Sequence, residues 1–219
     1  MNKIHVVVLS CIGCLLSLAS CTIDAYDKGE GELSLMTAEL VEAHVGSDKY
    51  VESVETDQGE RLTMQPGLTA QWIEKADTTY RALLYYNKVE TGKAEAVSFG
   101  RVGVLLPRDS VKGGMKTDPL YVESSWIGKN RKYLNLRMRL LTGSTTDEHA
   151  QHSIGLIVDT LASTPSHACM TLYHDQGGRP EYYSATTYAS IPLAEVDADT
   201  LTLSVVTYDG LFTRTFPLR

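Results

Sequence analysis

The chain has 219 residues and a mass of 24.1 kDa, with 20 Lys and Arg against 27 Asp and Glu, a formal charge of −7. That acidic balance excludes a dedicated nucleic-acid binder, because such domains carry a basic excess to neutralise phosphates. With 43% hydrophobic and 21% charged residues it is a globular chain, long enough for one large core or two smaller ones.

Residues 1–20 contain one charge, Lys3, followed by an apolar stretch over 6–18 that Ser10, Gly13 and Ser17 interrupt. This is the shape of a cleaved export signal, and it is shorter than the roughly 18 apolar residues a spanning helix needs. The tetrapeptide Leu18-Ala19-Ser20-Cys21 resembles the bacterial lipobox, in which the Cys is acylated and becomes the mature N-terminus. Cys11 and Cys14 lie too early to serve as acceptor. Cys21 is therefore the expected lipid attachment site, and the expected address is the outer membrane, on its periplasmic face or at the cell surface. Cleavage leaves Cys169 as the one remaining free thiol, so no internal disulfide is expected. Residues 21–32, with Asp24, Asp27, Glu30 and Glu32 around Gly29 and Gly31, read as an acylated Cys and acidic tether.

From residue 33 onward the periodicity is that of strands. Candidates are 33–45, 50–56, 60–64, 80–88 and 93–106, separated by turn signals such as Gly46-Ser47-Asp48, Asp57-Gln58-Gly59, Pro66-Gly67 and Glu90-Thr91-Gly92. One helical turn over 68–75 falls between the third and fourth. Five strands in this arrangement predict an OB-like barrel over 33–110. Pro107, Gly113, Gly114 and Pro119 with interspersed Lys and Arg mark a linker over 111–119.

The segment 120–219 alternates more cleanly. In 133–141, Leu134, Leu136, Met138 and Leu140 point one way and Tyr133, Asn135, Arg137 and Arg139 the other. Leu201, Leu203 and Val205 make the inner face of 200–207, and Asp209-Gly210 is expected to turn the chain back into 211–216. Strands over 153–159, 168–175 and 182–191 complete an antiparallel β-sandwich. The fold class is thus all-β: a five-stranded OB-like barrel followed by a sandwich.

The lipobox, the five-strand unit containing Arg81-Ala82-Leu83-Leu84-Tyr85-Tyr86-Asn87, the segment Tyr133-Leu134-Asn135-Leu136 and the closing Tyr208-Asp209-Gly210 resemble the NigD-like lipoproteins of Bacteroidetes. The resemblance spans 33–219 and implies an N-terminal OB domain paired with a C-terminal β-sandwich. It implies no established enzymatic activity and no site residue beyond the acylated Cys21.

Motifs for chemistry are sparse. There is no phosphate loop, dinucleotide fingerprint or nucleophile elbow. His149 and His152 lie three apart beside Asp147 and Glu148, but in a polar loop rather than on the helix such metal ligands favour. Cys169 reads as a buried small hydrophobe despite His167 and His174 nearby. No catalytic residue, cofactor or metal is expected. Four triplets of Asp, then Ser or Thr, then an aliphatic residue or Thr occur, where composition gives about one. They mark Thr78, Ser110, Thr160 and Thr200 and resemble an O-glycosylation sequon of exported Bacteroidetes proteins. The OB face over 50–64 presents Tyr50 among Glu52, Glu55, Asp57 and Glu60, poor for stacking and repulsive to polyanions. Tyr85, Tyr86, Tyr182, Tyr183 and Tyr188 are better glycan platforms. The expected function is a non-catalytic binding or scaffolding lipoprotein of the envelope, with a protein partner or a glycan and no nucleic acid. The alternatives are a glycan-binding surface lipoprotein and an envelope hydrolase built from His149, His152, His174 or Asp175.

Overall fold

The computed structural model describes residues 36–219. The expected signal peptide, Cys21 and the tether lie outside the described residues. Residues 36–219 belong to one compact unit. Among the described residues no helix is long and apolar enough to cross a membrane.

The first five strands are β1 (Thr37–Val45), β2 (Val51–Thr56), β3 (Arg61–Leu68), β4 (Thr78–Glu90) and β5 (Lys93–Arg101). They close into a barrel of order β1-β2-β3-β5-β4, in which β4 returns to pair with β1 over nine residues, from Thr37 opposite Tyr86 to Val45 opposite Thr78. Alternate residues point inward: Val41, Ala43 and Val45 from β1, Leu62 and Met64 from β3, Ala82, Leu84 and Tyr86 from β4. Pro66-Gly67 does not end β3 as a turn. Val51 pairs with Leu68 and Ser53 with Thr63, so the Pro-Gly pair sits in a bulge, where a residue lacking an N–H is tolerated. The helical turn expected over 68–75 is no helix; one turn centred on Gln71 and Trp72 precedes β4, and Trp72 packs on Tyr80 and Phe99.

The run expected as one strand over 93–106 breaks at buried Val102, whose N–H donates to the Arg81 carbonyl. Beyond it, β6 (Gly103–Val104) and β7 (Pro107–Arg108) pair with sandwich strands, although their residues read as part of the barrel in sequence. The remaining strands are β8 (Tyr121–Ile127), β9 (Tyr133–Thr142), β10 (Ser153–Val158), β11 (His167–Asp175), β12 (Tyr183–Pro192), β13 (Thr200–Thr207) and β14 (Gly210–Pro217). They form two sheets, β14-β13-β11-β10-β7 and β6-β12-β9-β8. Most pairings are antiparallel, but β11 and β13 run parallel, with Met170 opposite Leu203. A core of Leu134, Leu136 and Met138 from β9, Leu172 from β11 and Leu201 and Leu203 from β13 lies between the sheets. In the last hairpin Thr207 pairs with Gly210, so the two-residue loop is Tyr208-Asp209, one position earlier than expected, and Gly210 begins β14 at φ +116°.

The expected linker lies along the sandwich. The His174 N–H donates to the Lys116 carbonyl, the Asp118 N–H to the His174 carbonyl, and Lys116 pairs with Asp175 at 2.7 Å.

Candidate functional site at the barrel–sandwich junction

β4 carries Arg81 outward from the barrel, away from its apolar core, yet its side chain is only 1% exposed because β9 and β12 cover it. Its Nη2 donates to both oxygens of Asp57, at 2.7 and 2.6 Å, and lies 3.0 Å from the Asn135 amide oxygen. Its Nε donates to the Ser190 hydroxyl at 3.0 Å. Asn135 in turn donates to Asp57 at 2.6 Å and accepts from Ser190 at 2.7 Å. The Tyr133 ring lies 4.2 Å from the guanidinium carbon. Among the described residues, Nη1 of Arg81 is buried with no hydrogen-bond partner. Two barrel segments and two sandwich strands thus share one buried ionic cluster, an arrangement in which each charge needs the others to remain out of water.

Two sequence expectations change here. Asp57, counted among the solvated acids of the OB face, is buried against Arg81. Asn135, expected on the solvent face of β9, is fully buried, because the barrel covers that end of the strand. Backbone contacts hold the cluster: the Asn130 N–H donates to the Asp57 carbonyl at 2.9 Å. Gly128 packs closely there: a Cβ would lie 3.0 Å from Asp57 Cγ, so a side chain would press on the cluster.

A second layer of charge flanks the cluster. Lys132 bridges Glu42 at 2.6 Å and Glu55 at 2.7 Å, and the Tyr133 hydroxyl donates to Glu42 at 2.8 Å. Burial pushes the Glu42 carboxyl up, but hydrogen bonds from Lys132 and Tyr133, with the Lys132 and Arg81 charges, hold it below the usual range. Burial and the bond to Glu42 push the Tyr133 phenol up to about 12. Clefts open beside the cluster: one of about 590 Å³ lined by Arg81, Arg101 and Val104, another of about 430 Å³ lined by Lys132, Tyr133 and Leu193.

The other sequence-predicted residues are dispersed. Tyr86 is a barrel core residue, 1% exposed, whose hydroxyl donates to Glu39 at 2.7 Å, so it is no glycan platform. Tyr182 and Tyr183 are exposed, whereas Tyr85 and Tyr188 are half-buried. Ser110 and Thr160 are exposed in loops. Thr78 is half-buried at the start of β4, and the Thr200 hydroxyl is held between the Ser166 carbonyl and His167. Cys169 is half-buried, its Sγ 3.6 Å from the Ala162 carbonyl oxygen, while His167 bonds to Thr200 and Thr202.

The histidine pair in the structure is not the one the sequence spacing suggests. His149 is exposed, and His152 instead stacks on His174 of β11, Nδ1 to Nε2 at 3.0 Å. His174 Nδ1 lies 2.8 Å from the Asp118 carbonyl oxygen, which can only accept, so Nδ1 carries the proton. His174 Nε2 then accepts from His152 Nδ1–H, and His152 Nε2 is left as a buried acceptor without a partner among the described residues. Neither ring addresses a nucleophile. Among the described residues no group of three or more His, Cys, Asp or Glu is placed to hold a metal.

A closed five-stranded barrel joined through buried charge to a two-sheet sandwich defines a two-part all-β protein. The profile of the NigD-like C-terminal beta sandwich domain matches residues 105–216, and the chain belongs to the NigD-like family. Among solved structures it is similar to a NigD-like immunity protein from Bacteroides caccae, with 27% identity and a TM-score of 0.64 over 81% of this chain and 91% of that one. It shares its fold with a candidate toxin-related protein from Parabacteroides distasonis (17% identity, TM-score 0.63, 83% and 92% covered). The same fold occurs in a candidate lipoprotein from Bacteroides fragilis (12% identity, TM-score 0.56, 84% and 98% covered). None of the curated proteins matches the chain.

Proposed function

We propose that this protein is a non-catalytic binding module, anchored to the outer membrane through lipid on Cys21, that presents its barrel and sandwich as one rigid body to a protein partner. The observation that carries this reading is the buried Arg81–Asp57–Asn135–Ser190 cluster, which fixes the two parts against each other. A preorganised body binds a partner without an ordering cost at the junction. The similarity to a protein described as an immunity protein supports a protein as the ligand, and the fold shared with a candidate lipoprotein supports the anchor. The neighbouring exposed rings of Tyr182 and Tyr183 favour a glycan as the second reading, since such rings stack on sugar faces.

The test is a pull-down from detergent-solubilised envelope of the native host, with the lipidated protein and a soluble Cys21→Ala form as baits. A stoichiometric protein retained by both forms supports the reading, and its absence at good bait recovery overturns it. The same pair tests the anchor: the native protein partitions with membranes and Cys21→Ala does not.

A further inference from the structure

A strand at the edge of a sheet leaves a row of backbone donors and acceptors unpaired, and proteins blunt such edges with short strands, bulges or covering side chains. Three of the four edges of this sandwich are blunted. β6 and β7 are two residues long. β8 shifts register between Val122 and Ser124, and its Ser125 carbonyl accepts from Arg214 at 2.9 Å. The fourth edge, β14, has eight residues and pairs with β13 without a register shift, from Thr200 opposite Pro217 to Thr207 opposite Gly210.

The Leu218 N–H donates to the Asp199 carbonyl, which fixes the alternation along this strand. Phe212, Arg214 and Phe216 direct their N–H and C=O groups at β13, and Leu211, Thr213 and Thr215 direct theirs outward. Those outward groups have no hydrogen-bond partner among the described residues. Leu211, 68% exposed, stands on the same row. The outer face beside the edge, Leu211, Thr213 and Thr215 with Thr202, Ser204 and Val206 behind them, carries no charge. Arg214, the one charged residue of the strand, is held by the Ser125 carbonyl and hydroxyl of the opposite sheet.

We propose that β14 pairs with β14 of a second copy of this chain, antiparallel about a two-fold axis through Thr213, so that the two sheets become one. The strand is its own complement in this register. Thr213 faces Thr213 of the second copy, Leu211 faces Thr215, and every outward N–H meets a carbonyl. On the other face Arg214 lies opposite Phe212. Moving the axis to residue 214 sets two arginines opposite each other and puts Leu211 against Pro217, which has no N–H to give. Moving it to residue 212 leaves Thr215 beyond the end of the second strand. The interface is independent of the protein partner proposed above, so failure of either leaves the other standing.

The experiment is light scattering coupled to size exclusion on the Cys21→Ala chain, from micromolar to near-millimolar concentration. The expected result is a concentration-dependent rise to twice the chain mass. Thr213→Pro removes the outward N–H on the axis, where an edge strand tolerates proline, and Thr213→Lys sets two ammonium groups against each other. Each should weaken the dimer by about tenfold or more, with circular dichroism unchanged. Cross-linking reads the register: Thr213→Cys places two thiols on Cα atoms about 5.5 Å apart and should give a disulfide-linked dimer under mild oxidation, whereas Leu211→Cys should not. A monomer at every concentration, a dimer that both Thr213 variants retain, or equal cross-linking at 211 and 213 overturns the proposal.

Discussion

Replacing Asp57 with Ala removes the carboxylate that takes two bonds from Arg81 and one from Asn135, and leaves a guanidinium 1% exposed beside only neutral acceptors. Breaking one side of a buried ion pair costs about 3–5 kcal/mol. Glu42 lies close enough for its charge to couple with Arg81, which places the loss in the lower half of that range. A domain of this size loses about 2–4 °C of Tm per kcal/mol, so the melting midpoint falls by roughly 6–16 °C. The assay is calorimetry and urea unfolding at pH 7 of the lipid-free chain, alongside Arg81→Met and the double variant Asp57→Ala/Arg81→Met. Because the double variant buries no unpaired charge, its loss is expected to be well below the sum of the two single losses. A loss under about 1 kcal/mol for Asp57→Ala, the value of a surface pair, or strict additivity in the double variant would refute the assignment of the cluster as a buried ionic lock.

Burial, with the adjacent His174 and Arg179 charges, holds the His152 imidazolium below its ordinary pKa of 6.5, against a weaker pull from Asp118. The unfolded chain therefore takes up the proton first, so this contribution to stability is complete above pH 6.5 and declines as the pH falls below it. Urea midpoints from about pH 7.5 to 5 should show that decline, and His152→Phe should flatten it; an unchanged slope excludes His152 as its source. Gly177 sits at φ +62°, with a Cβ position 2.0 Å from the Gln151 carbonyl oxygen, whereas Gly178, at φ +77°, has open space. Gly177→Ala should cost about 2–4 kcal/mol and Gly178→Ala only about 1–2, and equal losses in chemical denaturation would contradict the packing. If the four Asp-Ser/Thr triplets are glycosylation sites, the exposed Ser110 and Thr160 are modified and the half-buried Thr78 and Thr200 are not. Peptide mass mapping of protein from the native host, with cytosolic recombinant protein as reference, checks this: glycan on Thr200 or on none of the four sites counts against it.

Local pattern carried much of the fold. Strict alternation in β9 and β13 identifies the sandwich strands, because one buried and one solvated face impose a period of two on the residues themselves. Five strand runs in the N-terminal part point to the barrel in the same way. The junction could not be read so, since its members lie far apart in sequence: Arg81 is 24 residues from Asp57, 54 from Asn135 and 109 from Ser190. Each stands on a face whose polar residues look solvated until the barrel covers β9. The same holds for the break at Val102, which sends one apolar run into two different sheets, and for His152, whose partner is His174, 22 residues on, rather than His149. Strand identity is set by neighbours along the chain, but the environment of a polar group is set by whatever the completed fold lays against it, and at this junction only the tertiary structure decided that.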